Sequence, residues 1–270
     1  MSDLYLLKKP DIGDFEMRHS FNDDPCSDAF SFPPHIHSDL EIYVLVEGNV
    51  SFMVEQKLYP LSPGDAIVSK PNEIHNCIVN AASAHKYYCF WFSPSSELLF
   101  GTFLQHKIGE GNLISLPPEK KRGFMQTCAS LHEAAEKNDS LLEFCHALRF
   151  LYILQQHPAE KGRTQSLPRL LQNILHDIND NFKYICELEY FTHKYFISQS
   201  TLQRLFRKHL HTSPKLYLEA KKLAYSRTLL QQNFSVAEAC EAAGFTDYSN
   251  YIRLFKKRFG VTPKQYSEMK

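Results

Sequence analysis

The spacing of hydrophobic residues changes twice along the chain, and each change marks a different kind of structure. Short apolar runs with the length of strands come first, at Ile42–Val46, Val50–Val54 and Ala66–Ser69. Turn sequences that contain glycine or proline separate them, as in SPGD at 62–65. Strands at such close spacing predict an antiparallel barrel or sandwich over residues 30–92.

A helical period replaces the strand pattern over residues 122–157. Two sets of apolar residues each recur at i, i+4, i+7 and i+11, which places each set on one face of a helix. The sets are Phe124, Cys128, Leu131 and Ala135, and then Leu141, Cys145, Leu148 and Tyr152. Because a polar break (NDS, 138–140) separates them, the sequence predicts a pair of antiparallel helices.

The second of these helices, residues 141–155, is apolar almost all round. One face can pack on the barrel, and the remaining apolar surface needs a further cover. The first helix of the pair can supply that cover, or a second copy of the chain can supply it in a homodimer. The homodimer is the hypothesis we carry forward.

A polar segment with two prolines and a glycine, PAEKGRTQSLP at 158–168, is typical of an interdomain linker. The predicted fold class is α+β multidomain, with an antiparallel barrel and a helical hairpin followed by an all-α domain. The expected parts are a barrel at 1–110, a hairpin at 111–160, a linker at 161–168 and a helical domain at 169–270.

The helical domain contains an internal repeat. Residues 196–217 align with residues 245–266 at an offset of 49, with nine identities in 22 positions. Chance would give about one or two identities at average residue usage. The repeat therefore predicts one supersecondary unit that is used twice.

Each copy of the repeat has a buried stripe and an outer stripe on one helix. The buried stripes are Leu202, Leu205 and Phe206 in the first copy, and Tyr251, Leu254 and Phe255 in the second. The outer stripes carry side chains of the kind that contact base edges and phosphates in a major groove. They are Ser200, Gln203, Arg204 and Arg207, and then Ser249, Ile252, Arg253, Lys256 and Lys257.

Capping signals surround both outer stripes. Ser198 and Asp247 stand at N-cap positions, Ser235 opens a capping box, and Gly244 ends the short helix that follows it. A short helix, a turn and a second helix predict a helix-turn-helix. Between the copies, a helix over 214–232 spans roughly 28 Å at about 1.5 Å per residue. Because one DNA turn is roughly 34 Å, this helix can set two reading helices into successive major grooves.

The formal net charge of zero hides an uneven distribution. Residues 1–165 hold 14 Lys and Arg against 21 Asp and Glu, a net charge of −7. Residues 166–270 hold 16 against 9, a net charge of +7. A basic half of this kind favours nucleic acid or another polyanion as its partner.

The remaining composition narrows the setting. A length of 270 residues favours two domains. The longest apolar run, Tyr87–Phe92, is far shorter than the about 20 residues of a membrane-spanning helix, so no membrane partner is expected. The seven cysteines form no CxxC pair and indicate neither a zinc knuckle nor a disulfide framework, which favours a reducing, cytoplasmic location.

The segment 235–266, SVAEACEAAGFTDYSNYIRLFKKRFGVTPKQY, resembles the signature of the AraC/XylS family of bacterial transcription regulators. The resemblance covers residues 169–268. It implies binding to double-stranded operator DNA, with RNA polymerase as a partner if the protein is an activator. In the first copy Thr192 stands where alanine is usual, and His211 where glycine is usual. Histidine is tolerated better than most residues at positive φ, so the turn at His211 can survive.

The N-terminal half resembles a cupin in two short motifs, HIHSDLE at 35–41 and PNEIH at 71–75. In this family a cupin-like barrel commonly senses a small molecule, often a sugar. The expected effector-binding residues are His35, His37, Glu41, Tyr43 and His75.

Three histidines and a carboxylate, His35, His37, His75 and Glu41, are also a plausible metal-ligand set. The sequence departs from the enzyme cupins, with Ala29 in place of a motif glycine and a second motif that lacks its glycine and is one residue short. We therefore expect no cofactor, and a hydrogen-bonding role for these side chains.

Two functions from different classes follow. The first is a ligand-responsive, sequence-specific transcription regulator of carbohydrate-related genes. The alternative is a cupin metalloenzyme whose basic half tethers it to DNA. The sequence has no P-loop, GxSxG or HExxH motif, so we expect that the protein is not an enzyme.

Overall fold

The computed structural model describes residues 5–9, 15–27, 34–80, 83–93, 97–157, 159, 164–165 and 167–268. The chain divides into two compact units, one of Met1–Phe32 with Ser38–Ser166, and one of Pro33–His37 with Leu167–Lys270. The helical hairpin, expected as a separate part, belongs to the first unit. Much of the expected linker lies outside the described residues.

The described part of the first unit is made of strands followed by helices. The elements are β1 (Tyr5–Lys9), β2 (Phe15–Ser27), β3 (Leu40–Glu47), β4 (Val50–Val54), β5 (Lys57–Pro60), β6 (Asp65–Ser69), β7 (His75–Val79), β8 (Ser83–Phe92), α1 (Glu97–Leu104), β9 (Leu113–Ser115), α2 (Pro118–Glu136) and α3 (Ser140–Gln155).

These strands form two antiparallel sheets, with the orders β1-β2-β8-β3-β6-β9 and β5-β4-β7. Side chains alternate between the faces of a strand. On β3, Leu40, Ile42 and Val44 face a core shared with the three helices, while Tyr43 and Leu45 face the smaller sheet. The interior between the sheets is therefore built from every second residue of β3.

The helices cover the outer face of the larger sheet. Phe124 of α2 and Phe150 of α3 are fully buried against Phe90 and Phe92 of β8. The predicted helical pair is confirmed, with α2 beginning four residues earlier because a proline is tolerated in the first turn of a helix. Asp139 caps α3, and its side chain accepts from the Leu142 backbone at 3.0 Å.

The described part of the second unit is helical from residue 169 onward. Its elements are α4 (Arg169–Asn181), α5 (Glu189–Tyr195), α6 (Gln199–Leu210), α7 (Pro214–Gln231), α8 (Val236–Ala242), α9 (Tyr248–Phe259) and α10 (Pro263–Glu268). Strands with helices first and helices alone afterwards confirm the predicted fold class.

A buried carboxylate fixes α5 on α4. Asp177 of α4 accepts from Lys194 Nζ at 2.7 Å, from the Tyr195 hydroxyl at 3.1 Å and from the Tyr190 hydroxyl at 3.2 Å. Burial alone would raise the pKa of Asp177, but these donors and the lysine charge lower it. The carboxylate therefore stays ionised and holds α5, the first helix of the first helix-turn-helix, in place.

Within the described residues, no helix is both long and apolar enough to cross a membrane.

Candidate functional site

The outer stripe of the first copy lies on α6, which begins after an N-cap. The Ser198 hydroxyl accepts from the Thr201 backbone at 3.2 Å, which confirms the predicted cap. Leu202 and Phe206 are fully buried, so the opposite side of α6 faces outward. A groove of about 470 Å³ runs along it, and its lining brings together all four residues of the predicted stripe with one more lysine: Ser200, Gln203, Arg204, Arg207 and Lys208.

The second copy repeats this arrangement on α9. Asp247 accepts from the Asn250 backbone at 2.9 Å, and the Ser235–Glu238 capping box opens α8 as predicted. Four residues of the predicted stripe are exposed, namely Ser249, Arg253, Lys256 and Lys257. Ile252 is half-buried and packs against the core, so its side chain is less available to a partner than the other four.

The turns of the two copies differ in length. Three residues separate α5 from α6, and five separate α8 from α9. The left-handed residue is Phe196 in the first turn, with φ of 53°, and Gly244 in the second, with φ of 79°. Phe196 is 95% exposed, whereas Phe245 packs on Tyr251 at 5.0 Å between ring centroids. Phe196 and Phe245 are identical in the sequence alignment, but they have different structural surroundings. The helices α6 and α9 themselves keep the offset, since they begin 49 residues apart.

In the barrel, the predicted residues Glu41 and His75 come together from opposite sheets. His75 Nε2 lies 3.5 Å from Glu41 Oε2, and both side chains are buried. Trp91 of β8 donates from Nε1 to the same carboxylate oxygen at 2.6 Å. The hydrogen bond from Trp91 and the adjacent imidazole of His75 therefore hold the carboxylate in one orientation.

The charge of Glu41 controls the protonation of His75. Burial alone would lower the pKa of His75, but the Glu41 carboxylate and the Glu73 carbonyl oxygen, 2.9 Å from Nδ1, raise it above its usual value. The Glu41 carboxylate therefore favours the protonated form of His75.

Tyr43, also predicted, belongs to a second buried group. Its hydroxyl lies 2.8 Å from His85 Nε2, and its ring stacks on Tyr87 with centroids 4.9 Å apart. The Cys77 thiol lies 4.0 Å from the Tyr43 hydroxyl and 3.8 Å from His85 Nε2. Burial raises the pKa of Cys77 to about 12, so the thiol stays protonated.

His35 and His37 lie just before β3 and are half-buried, with ring centroids 5.8 Å apart. The segment from 35 to 41 is not extended throughout, because the chain bends at Ser38 and Asp39. Asp39 pairs with Arg18 of β2 instead of facing the barrel interior. The predicted set is thus divided between the units, with Glu41 and His75 in the first and His35 and His37 in the second.

Family models match both units. Residues 24–151 match an AraC-like ligand binding domain, and residues 192–269 match a helix-turn-helix domain. The chain belongs to the AraC family of transcription regulators. It is a ligand-responsive, DNA-binding regulator with an effector-binding domain followed by two helix-turn-helix units.

Relatives of this AraC-family regulator match along most of its length. The Msm operon regulatory protein of Streptococcus mutans is 23% identical and the alignment covers 98% of each chain. The HTH-type transcriptional activator RhaR of Mannheimia succiniciproducens is 21% identical over 87% of each chain. Among solved structures, ToxT of Vibrio cholerae O395 is 12% identical, with a TM-score of 0.39, and the match covers 100% of this chain and 97% of that one.

Three residues that line the barrel interior of the regulator, Cys77, His85 and Trp91, were not among those predicted from the sequence. On β8, alternate residues from His85 to Trp91 share one face, and Cys89 pairs with Tyr43 in the register. Alternation was therefore the available signal. It was hidden because Tyr87–Phe92 is a continuous apolar run in which both faces are buried, one against the helices and one against the second sheet.

Proposed function

We propose that this regulator binds double-stranded operator DNA through α6 and α9, each placed in a major groove. The observation that carries the proposal is the pair of outward stripes, with Arg204 and Arg253 at equivalent positions on two capped helices. An arginine can grip guanine O6 and N7 with two hydrogen bonds. Arg207, Lys256 and Lys257 are proposed to contact phosphates.

The experiment begins with DNA selected from a random duplex library by the unmodified protein. Arg204→Ala and Arg253→Ala should each weaken binding by about 1–3 kcal/mol and relax specificity at one base pair. Lys257→Ala, the matched control on the same helix as Arg253, should weaken all sequences alike and make the salt dependence shallower. Equal affinity of the unmodified protein for selected and scrambled DNA contradicts the proposal.

We further propose that the barrel binds a sugar or a related polyhydroxy compound. Support comes from the mixture of partners along its interior, namely a carboxylate, imidazoles and aromatic rings. Hydroxyl groups of a sugar can donate to Glu41 and hydrogen-bond to His75, while its apolar face can stack on an aromatic ring. Effector binding must favour one DNA-affinity state over the other, since a ligand shifts an equilibrium only by its differential affinity.

The proposed site works without a resident metal. In the first unit, the donor chemistry of Glu41 and His75 fits a divalent cation such as zinc or manganese, which would act as a Lewis acid toward a ligand oxygen. A metal ligand must however be a neutral imidazole, and the raised pKa of His75 works against that form. Metal analysis of the purified protein, followed by titration with zinc and manganese, tests this proposal.

We propose a regulator without catalytic activity. Buried thiol and phenol groups near the effector site are poor nucleophiles, because burial raises the pKa of both Cys77 and Tyr43. We propose a cytoplasmic location, because the protein acts on DNA. RNA polymerase is its partner if it activates transcription, and one relative carries the name of a transcriptional activator. The proposed oligomer is a homodimer through α3.

A further inference from the structure

Lys222 is a buried cation on α7, the helix between the two helix-turn-helix units. Only 6% of its surface is exposed. Its Nζ donates to the carbonyl oxygen of Ile185 at 2.8 Å and to that of Gly244 at 2.7 Å. Ile185 precedes α5 of the first helix-turn-helix, and Gly244 lies in the turn of the second. One ammonium group therefore links the backbones of both DNA-reading units.

The backbone segments that Lys222 joins also touch each other directly. A Cβ added at Gly244 would lie 2.0 Å from the carbonyl oxygen of Lys183, and Gly244 has a left-handed φ of 79°. A glycine is required there on both grounds. The junction is thus a tight contact between the chain before α5 and the turn before α9.

The junction borders open space on one side. A cavity of about 350 Å³ adjoins Lys222, and residues from both helix-turn-helix units line it. Gln199, at the start of α6, and Asn250, in the first turn of α9, are among them. Beside this open space, the two hydrogen bonds of Lys222 and the direct contact between Gly244 and Lys183 hold one helix-turn-helix against the other.

A buried ammonium is costly to desolvate, and a well-packed apolar side chain would often give equal or greater stability. Burial lowers the pKa of Lys222 below its usual value, which reflects this cost. Three tetrahedral donors, however, can bind two carbonyl oxygens only in a narrow range of positions. The group is suited to defining an arrangement rather than to adding stability.

We propose that Lys222 is a positioning residue that sets the placement of α6 relative to α9, and thereby the spacing between the two DNA half-sites that the protein accepts. The inference rests on the proposed function, because it requires both helices to read DNA at once. Two linked modules gain affinity only when their geometry lets both engage together.

The test uses the full-length protein and three kinds of duplex derived from the library-selected DNA. One keeps both half-sites at the selected spacing, one has a base pair inserted or deleted between them, and one has a scrambled second half-site. Lys222→Met removes the donors and keeps the length of the side chain. The control is Lys215→Met, which alters an exposed lysine on the same helix that lines the same cavity.

The unmodified protein should prefer the selected spacing by at least about tenfold. Lys222→Met should reduce that preference to about threefold or less and change affinity for the single half-site by less than about twofold. Lys215→Met should keep the preference even if it lowers affinity for every duplex through a lost phosphate contact. A folded Lys222→Met variant that keeps the spacing preference, or that loses affinity equally for single and double sites, overturns the inference.

If circular dichroism shows that Lys222→Met is unfolded, the spacing preference of Lys222→Arg tests the inference instead. Its longer, planar donor cannot hold the two carbonyl oxygens at the same positions, so the preferred spacing should shift by at least one base pair. An unchanged spacing preference in Lys222→Arg overturns the inference. A selection that enriches no sequence contradicts the proposed function itself, which distinguishes that failure from a failure of the role of Lys222.

Discussion

Phe196 has a backbone conformation that suits glycine and a side chain that contacts almost nothing. Its φ is 53°, and 95% of its surface is exposed. A left-handed conformation costs a residue with a Cβ about 1–2 kcal/mol, and no burial offsets that cost here. The left-handed residue of the second turn is Gly244. The same difference occurs at the ends of α6 and α9. Both C-cap residues are left-handed, His211 with φ of 50° and Gly260 with φ of 77°.

Phe196→Gly is therefore expected to stabilise the protein. The relief of about 1–2 kcal/mol exceeds the about 0.5–1 kcal/mol that glycine costs in chain entropy. The net gain should be about 0.5–1 kcal/mol, measured as a higher midpoint of denaturant unfolding followed by helical circular dichroism.

The control for this prediction is Phe234→Gly. Phe234 is also an exposed phenylalanine in a loop of the helical unit, at 42% exposure, and its φ is not left-handed. That substitution should destabilise. Equal effects of the two substitutions would show that backbone strain at Phe196 is not the cause.

At the scale of elements, α3 keeps one apolar stripe outside. Phe144, Phe150 and Leu154 enter the core, while Leu141 and Tyr152 are 69% and 62% exposed and Cys145 between them is also exposed. The helical period was predicted correctly. Leu141, Cys145 and Tyr152 of the predicted set lie on the outward face of the helix, whereas Leu148 is half-buried and packs against the core. Leu151, in contrast, is 1% exposed and lies in the core, so it cannot serve to probe an interface.

The double substitution Leu141→Glu with Tyr152→Glu should convert the proposed dimer to a monomer. These two residues lie eleven positions apart on one stripe, and two carboxylates per chain would repel across a two-fold interface. Sedimentation velocity of the full-length protein measures the change.

Leu98→Glu provides the control, since Leu98 on α1 is 86% exposed and lies on another helix of the same unit. It should leave the sedimentation coefficient unchanged. An unchanged coefficient in the double variant as well, or a monomeric unmodified protein, would count against dimerisation through α3.

At the scale of the whole molecule, the charges are separated between the halves, with −7 in residues 1–165 and +7 in residues 166–270. The basic half suits DNA, and the acidic half avoids adding nonspecific attraction to DNA. Effector control then requires that the barrel changes the DNA affinity of the other unit. Substitution of a side chain that contacts the effector should therefore weaken the effector response without changing DNA binding in the absence of effector.

Glu41→Gln should lower effector affinity by about tenfold or more, because a hydrogen bond to a charged group contributes about 1.5–3 kcal/mol. Calorimetry of the full-length protein against a panel of monosaccharides, with and without zinc or manganese, identifies the effector and measures the loss. DNA binding without effector should remain within about twofold of the unmodified protein.

Glu47→Gln is the matched control for Glu41→Gln. Glu47 ends the same strand, but its side chain is 59% exposed and lies 3.6 Å from Lys86. It should leave the effector response unchanged. A Glu41→Gln variant that answers the effector normally would place the effector site elsewhere in the barrel.

Local patterns in the sequence located three of the strands, the helical hairpin and both proposed DNA-reading helices. Short apolar runs and the turn residues between them located β3, β4 and β6, because a strand boundary depends on only a few neighbouring residues. The capping residues Ser198, Ser235 and Asp247 marked helix starts for the same reason. The repeat located the two outer stripes, since two copies of one supersecondary unit bury and expose equivalent positions.

Only the tertiary structure decided which distant side chains meet. Strand pairing brings His85 to Tyr43, 42 residues away, and Trp91 to Glu41, 50 residues away. No local pattern encodes that register. Lys222 reads in the sequence as one of many helix lysines, yet the fold buries it between two backbone carbonyl groups. The sequence also left open which face of α3 is exposed. A helix that is apolar nearly all round has no polar face to mark its solvent side, so its packing against the sheet determines which residues are buried.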